Sequence, residues 1–381
     1  MTGAGSGFLL TPSGWLQGTL VWQDGRIVAT EGDAVDEARA RAGSLPLLLP
    51  GFVDLHVHGG GGRDTMEGGD AIHTVARTHA RHGTTSLLAT TMTAPAAEIE
   101  AALLALAPAC RERARGAARV LGVHLEGPYL NPGKLGAQPD FARTATLAEV
   151  LALDAIAPLK LVTLAPELPG HIELIVALHA QGLRVQIGHS LGRYEDGLAA
   201  LQAGASGFTH LFNAMSGLHQ REPGIVGAAL AHAERAEIIV DLLHVHPGAI
   251  RAALRAIPGL YCVTDSTAAT GMPDGEYALG RQRVHKCLGG VRLADGTLAG
   301  STLTMDQALR NLVSIGCSLA EASARTSVWP ARHLGLDDRG ELAPGRWADI
   351  VVLDAALQLQ RVIIEGEEID LAARTEAPAS A

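Results

Sequence analysis

The stretch "GFVDLHVHGGGGRD", residues 51–64, places His56 and His58 two apart at the end of an apolar run. In an extended strand, alternate side chains leave the same face, so the two imidazoles can converge on one ion. Gly59 to Gly62 follow at once and let the backbone turn sharply while keeping the mouth of such a site open. An H-x-H pair alone says little, because a surface or satisfied core histidine explains it as well. Its weight comes from other apolar runs that end the same way: Glu126 closes "RVLGVHLE", His189 follows "LRVQIG", His210 closes "GFTH" and Asp265 closes "LYCVTD". Four histidines and a glutamate are imidazole and carboxylate ligands suited to Zn²⁺, or to Fe²⁺ and Mn²⁺.

Asp265 differs in role. A carboxylate beside a metal-polarised water can take its proton as the water attacks a carbonyl, then hand it to a leaving nitrogen. The competing reading is a helix N-cap ahead of "STAAT". His244, in "DLLHVHPG", could donate a hydrogen bond to the carbonyl oxygen under attack, whereas His246 two residues on reads as structural.

Side chains scattered over two hundred residues need a frame that brings strand ends together. Eight short β-type runs alternate with longer Ala-rich helical stretches: near 52–57, 85–90, 119–125, 160–165, 183–188, 207–210, 237–242 and 260–265. Repeated βα units predict a parallel sheet, and eight of them a closed (β/α)8 TIM-type barrel, whose active site lies where the strands end. Residues 8–49 and 340–369 instead carry short apolar runs between turn signals, as antiparallel strands do. The expected organisation is therefore an α/β chain with a barrel catalytic domain over 50–342 and a small β-sandwich domain built from both termini, 1–49 and 343–381. The closing "ARTEAPASA" reads as frayed.

Composition narrows the partners. The formal charge of −10 comes with no basic block, which argues against nucleic acid and against a polybasic membrane patch. No run approaches the roughly 20 apolar residues of a membrane helix, and "MTGAGSGFLLTPSGW" lacks a signal-peptide pattern, so a cytoplasmic enzyme with a small-molecule substrate is expected. Cys110, Cys262, Cys287 and Cys317 are scattered and read as reduced, buried small hydrophobes.

Longer motifs carry a resemblance. "HLEGPYLNPGKLGA", "IGHS", "THLFNAMSGLHQREPGIVGAAL", "DLLHVHP", "VTDSTAATG" and "LAGSTLTMDQALRNLV", in this order, resemble the amidohydrolase superfamily and, within it, the N-acetylglucosamine-6-phosphate deacetylases. The resemblance runs from "PGFVDLHVHG" to "LAPGRWADIVVLD" and implies hydrolysis of the acetamide of an amino-sugar 6-phosphate to acetate and the free amine. It implies Glu126, His189 and His210 as principal ligands of a divalent metal, Asp265 as catalytic acid and base, and His244 as a substrate contact that steadies the oxyanion. It further implies substrate contacts from Asn213 and Ala214, and from the backbone at Ala137, Leu298, Ala299 and Gly300. Arg221 matches an arginine that grips the 6-phosphate from the neighbouring subunit of a homodimer. Relatives that keep H-x-H bind two metals bridged by the glutamate, so one or two ions are implied, Zn first, with Fe, Mn or Co as alternatives. Gln138 stands where many relatives carry a histidine that reaches the substrate, which leaves N-acetylgalactosamine 6-phosphate open as an alternative to N-acetylglucosamine 6-phosphate.

Two rival readings are weaker. The branch bridged by a carboxylated lysine at the end of strand four does not fit "KLVTLAPE", whose lysine, Lys160, stands at the start. A non-catalytic scaffold should lack a ligand or the strand-eight aspartate, and both are present.

Overall fold

A computed structural model describes residues 2–372; the segment 373–381 expected to fray lies outside them. The eight expected runs are the eight barrel strands: Phe52–Val57, Thr84–Thr90, Arg119–Glu126, Leu159–Leu164, Arg184–Ile187, Gly207–Phe208, Arg235–Ile239 and Gly259–Val263. The first six form one parallel sheet in chain order and the last two pair in parallel. Leu211 N–H donates to the Glu237 carbonyl at 2.9 Å across the gap between strands six and seven. Asp265 N–H donates to the His56 carbonyl at 2.9 Å, and a parallel bridge joins Val57 to Ser266, so strand eight meets strand one and the barrel closes.

These strands read as continuous apolar runs because both faces are covered, and strands one and two are buried at every position. Each is followed by a helix, from Ala71–Ala80 round to Met305–Ser314. Local signals set the helix starts. Thr146 accepts the Glu149 N–H at 3.2 Å ahead of Leu147–Ile156. His246 accepts the Gly248 N–H at 3.1 Å ahead of Pro247–Ala256, which is the structural role read for it.

Both termini build one continuous seven-stranded sheet, in the order Glu367–Glu368, Leu359–Ile364, Ile350–Leu353, Leu47–Pro50, Thr2–Thr11, Gly14–Gln23 and Arg26–Val35. The sandwich arises because this one sheet folds over on itself: Ile27 N–H reaches the Arg346 carbonyl at 2.9 Å and Ala348 N–H the Gly25 carbonyl at 2.7 Å. Alternation sorts the side chains. Leu48, Ile350 and Val352 turn into a core with Leu9, Leu20 and Trp22, while Leu47, Leu49, Val351 and Leu353 join the core of the barrel.

A three-stranded antiparallel insertion between strand eight and the last barrel helix was not expected: Gly275–Leu279, Gln282–Cys287 and Gly290–Arg292. Its Leu279, Val284 and Val291 pack on Met92, Ala269 and Ala299 beside the strand ends. The cysteines are unpaired; Cys262 is buried and Cys110 and Cys317 are half-buried, but Cys287 sits exposed on the insertion, against expectation. No helix among the described residues is long and apolar enough to cross a membrane.

Candidate active site

The barrel delivers its polar side chains through strained turns. His189, His210 and Asp265 each lie two residues past the end of their strands, and each has positive φ, at 49°, 31° and 51°. Side chains on a left-handed backbone cost about 1–2 kcal/mol each. The closed sheet imposes these turns, and they swing the three side chains inward over the strand ends.

Two ligand groups result, sharing Glu126. In the first, His189 Nε2 and His210 Nε2 lie 3.2 and 3.0 Å from Glu126 Oε1 and 3.1 Å from each other. In the second, His56 Nε2 and His58 Nε2 lie 3.1 Å apart and 3.4 and 3.3 Å from Asp265 Oδ1. Glu126 Oε2 is 3.2 Å from His58 Nε2, so one carboxylate faces both groups. Ligand atoms about 2.0–2.1 Å from a tetrahedral ion stand about 3.3–3.4 Å apart. Both groups have nearly those edges, with donors of the right chemistry, so the residues present fit a divalent metal.

The contacts behind the ligands set their tautomers. His189 Nδ1 lies 2.8 Å from the Lys134 carbonyl and His56 Nδ1 3.0 Å from Glu237 Oε2, so both rings place their hydrogen on Nδ1 and present Nε2 to the cluster. Glu126 and Asp265 favour charge on His56 and His58, and those two imidazoles favour it on the carboxylates. Burial pushes Glu126 and Asp265 up, but His56 and its neighbours outweigh it, leaving Glu126 well below the usual carboxylate range and Asp265 at about 2. Burial likewise opposes charge on His58, yet Asp265 and Glu126 lift it to about 9.

A cavity of about 250 Å³ opens over the cluster. Its wall includes His58, Glu126, His189, His210 and Asp265. Ala137, Gln138, Asn213, Ala214, His244, Leu298 and Gly300 line it too, together with Met92, Leu279 and Thr297. His244 is oriented by Asp241, whose Oδ2 lies 2.7 Å from His244 Nδ1 and whose Oδ1 accepts the Leu243 and His244 N–H groups at 2.9 Å each. Burial would discharge His244, but the Asp241 carboxylate outweighs it and raises the imidazole above its ordinary value.

Two expected contacts, Ala299 and Arg221, lie off the cavity wall, and Gln138 is on it but engaged. Ala299 is fully buried off the cavity wall, and its N–H donates to the Val291 carbonyl at 3.0 Å. Gln138 lines the cavity with its amide tied at both ends: Nε2 donates to Glu126 Oε2 at 2.6 Å and Oε1 accepts the Thr93 N–H at 2.7 Å. Arg221 lies in the exposed loop after strand six, outside this cavity. Glu237 and Asp241 were missed by sequence reasoning. Glu237 sits inside an apolar strand, and the one clue to Asp241 was its place three residues before His244 in "DLLHVHP".

The family model for amidohydrolases matches residues 47–370, which holds every one of these side chains. The chain belongs to the amidohydrolase family. Among its amidohydrolase relatives, an N-acetylgalactosamine-6-phosphate deacetylase from Escherichia coli O157:H7 is 43% identical, covering 94% of this chain and 97% of that one. An N-acetylglucosamine-6-phosphate deacetylase from Lysinibacillus sphaericus is 40% identical, covering 85% and 86%. The structure superposes with a TM-score of 0.88 and 33% identity, over 97% and 99% of the two chains, on a Mycobacterium smegmatis N-acetyl-D-glucosamine-6-phosphate deacetylase mutant in complex with N-acetyl-D-glucosamine-6-phosphate.

Proposed function

We propose that this amidohydrolase hydrolyses the acetamide of N-acetyl-D-glucosamine 6-phosphate, releasing acetate and glucosamine 6-phosphate. The observation that carries the reading is the clustering of His56, His58, Glu126, His189, His210 and Asp265 at the floor of one small cavity, all but His56 on its wall and His244 beside them. The relatives supply the substrate class.

Glu126, His189 and His210 would hold one divalent ion, and His56, His58 and Asp265 with Glu126 a second, with Zn²⁺ the first choice and Fe, Mn or Co as alternatives. When bound, such ions supply Lewis acidity for the carbonyl and acidify a water. Asp265 takes the proton of the attacking water and returns it to the leaving amine as the C–N bond breaks. His244 donates from Nε2 to the carbonyl oxygen as charge builds there. Ala137, Asn213, Ala214, Leu298 and Gly300 position the sugar. Arg221 reads as a phosphate grip offered to the neighbouring subunit of a homodimer, a role suited to a planar, permanently charged guanidinium. The barrel over 50–342 carries the chemistry, the seven-stranded sheet built from both termini braces it, and a cytoplasmic setting suits a phosphorylated metabolite.

A second reading has its own support. The 43% identical relative is named for the galactose epimer, and Gln138, committed to Glu126 and Thr93, is not free to act as the histidine of other relatives. The test is acetate release by the metal-loaded protein from both N-acetylhexosamine 6-phosphates and both unphosphorylated sugars. Preference for the gluco 6-phosphate supports the first reading and preference for its epimer the second. No release from any of them, with metal bound, overturns both.

A further inference from the structure

Glu237 lies in the middle of barrel strand seven, fully buried, on the side of the cluster away from the cavity. Its Oε2 is 3.0 Å from His56 Nδ1 and also accepts the His210 backbone N–H at 3.3 Å. Its Oε1 accepts from the Tyr261 hydroxyl at 3.5 Å, and Gln186 Nε2 holds that hydroxyl in turn at 2.6 Å.

Both Glu237 oxygens already act as acceptors, Oε2 for the His210 N–H and Oε1 for the Tyr261 hydroxyl, so Oε2 meets His56 Nδ1 as an acceptor: Nδ1 carries a hydrogen and Nε2 is the atom left to take a cation. His58, its partner in the same ligand group, has a buried Nδ1 with no hydrogen-bond partner among the described residues. The tautomer of this pair therefore depends on what Glu237 does to His56. One Glu237 oxygen also ties His56, from the second ligand group, to the backbone of His210, from the first. The two groups are joined beneath by Glu237 as they are joined on the cavity side by Glu126.

We propose that Glu237 is a positioning residue that fixes the tautomer and orientation of His56 and so decides whether an ion is held at His56, His58 and Asp265. This rests on reading that group as a second ion site.

The test strips the full chain of metal and titrates it with Zn²⁺ or Co²⁺, counting equivalents by elemental analysis and following the Co²⁺ absorption bands. The parent takes up two equivalents. Glu237→Ala keeps the first, at His189, His210 and Glu126, and binds the second about 10–100-fold more weakly. Glu237→Gln, whose amide oxygen still accepts from Nδ1, recovers most of that loss, with a residual deficit of less than about tenfold confined to the second equivalent. If Glu237→Ala fails to fold, the Glu237→Gln titration decides. Equal weakening of both equivalents in the variants indicates a packing role and overturns the proposal. So does a parent with two equivalents that both variants leave unchanged, while the two-ion reading survives. A parent that binds one equivalent, and keeps it in His56→Ala, overturns the two-ion reading and the proposal together.

Discussion

Asp241 offers a test in which the direction of a pH effect, as well as its size, follows from hydrogen-bond geometry. With the carboxylate 2.7 Å from His244 Nδ1, the neutral ring carries its hydrogen there and faces the cavity with an acceptor. A donor at Nε2 then requires the imidazolium, which Asp241 favours. The raised value means that the charged donor is present below it and lost as the pH climbs through it, giving the alkaline limb of activity. The same pair stabilises the fold below the ordinary histidine value, and that contribution fades on the same alkaline side. Asp241→Ala removes a charge-assisted bond of about 1.5–3 kcal/mol, so kcat should fall about 10- to 150-fold and the alkaline limb should move to lower pH. Asp241→Asn is more telling. Its amide oxygen can still accept the two backbone N–H groups, but its NH₂ faces Nδ1 and turns the ring over to the tautomer with hydrogen on Nε2. The cavity keeps a donor, now neutral and weaker by about 1 kcal/mol, so kcat should fall about fivefold while the limb assigned to His244 disappears. The assay is acetate release from pH 6 to 10, with kcat and KM separated. An alkaline limb unmoved in both variants would refute the account of His244 as a charged donor set by Asp241.

Asp265→Asn should lower kcat by about 10²–10⁴-fold. Elemental analysis should still find an ion at Glu126, His189 and His210, and near-parental turnover would remove Asp265 from the proton path. Arg221→Ala should raise KM for the phosphorylated sugar by the worth of a charge-assisted contact, about 1.5–3 kcal/mol, and leave the unphosphorylated sugar nearly untouched. Equal losses on both, measured side by side, would rule out the phosphate role. Chelation should abolish acetate release and lower Tm, since an ion at 100 times its Kd stabilises the folded state by about 2.7 kcal/mol. Scanning calorimetry that shows the same Tm with and without metal would contradict a bound ion.

The strands were legible because a parallel barrel buries both faces of each one, which writes an unbroken apolar run such as "FVDLHV". The ligands were legible because they interrupt those runs at the ends, where a polar residue stands out. Glu237 was not, since a carboxylate that opens "EIIVDL" reads as the polar start of an apolar run and its partners are distant in sequence. The insertion at 275–292 was missed because its short strands are half exposed and lack a sustained pattern. The doubling over of the terminal sheet depends on pairings such as Ile27 with Arg346, which no local window contains.

That sheet also sets a timetable for synthesis. Leu47–Pro50 pairs on one side with Thr2–Thr11 and on the other with Ile350–Leu353, and the core of Leu9, Leu20 and Trp22 is completed by Ile350, Val352 and Ile363. Translated from the first strand onward, the amino-terminal strands can form hairpins but must wait about 300 residues for the partners that cover them. At roughly 5–20 residues per second the wait is about 15–60 s. Through that interval a row of apolar side chains and an unpaired strand edge stand open to other nascent chains. A ribosome stalled short of residue 350 would therefore present a sticky surface, and the last strands to emerge are the ones that retire it.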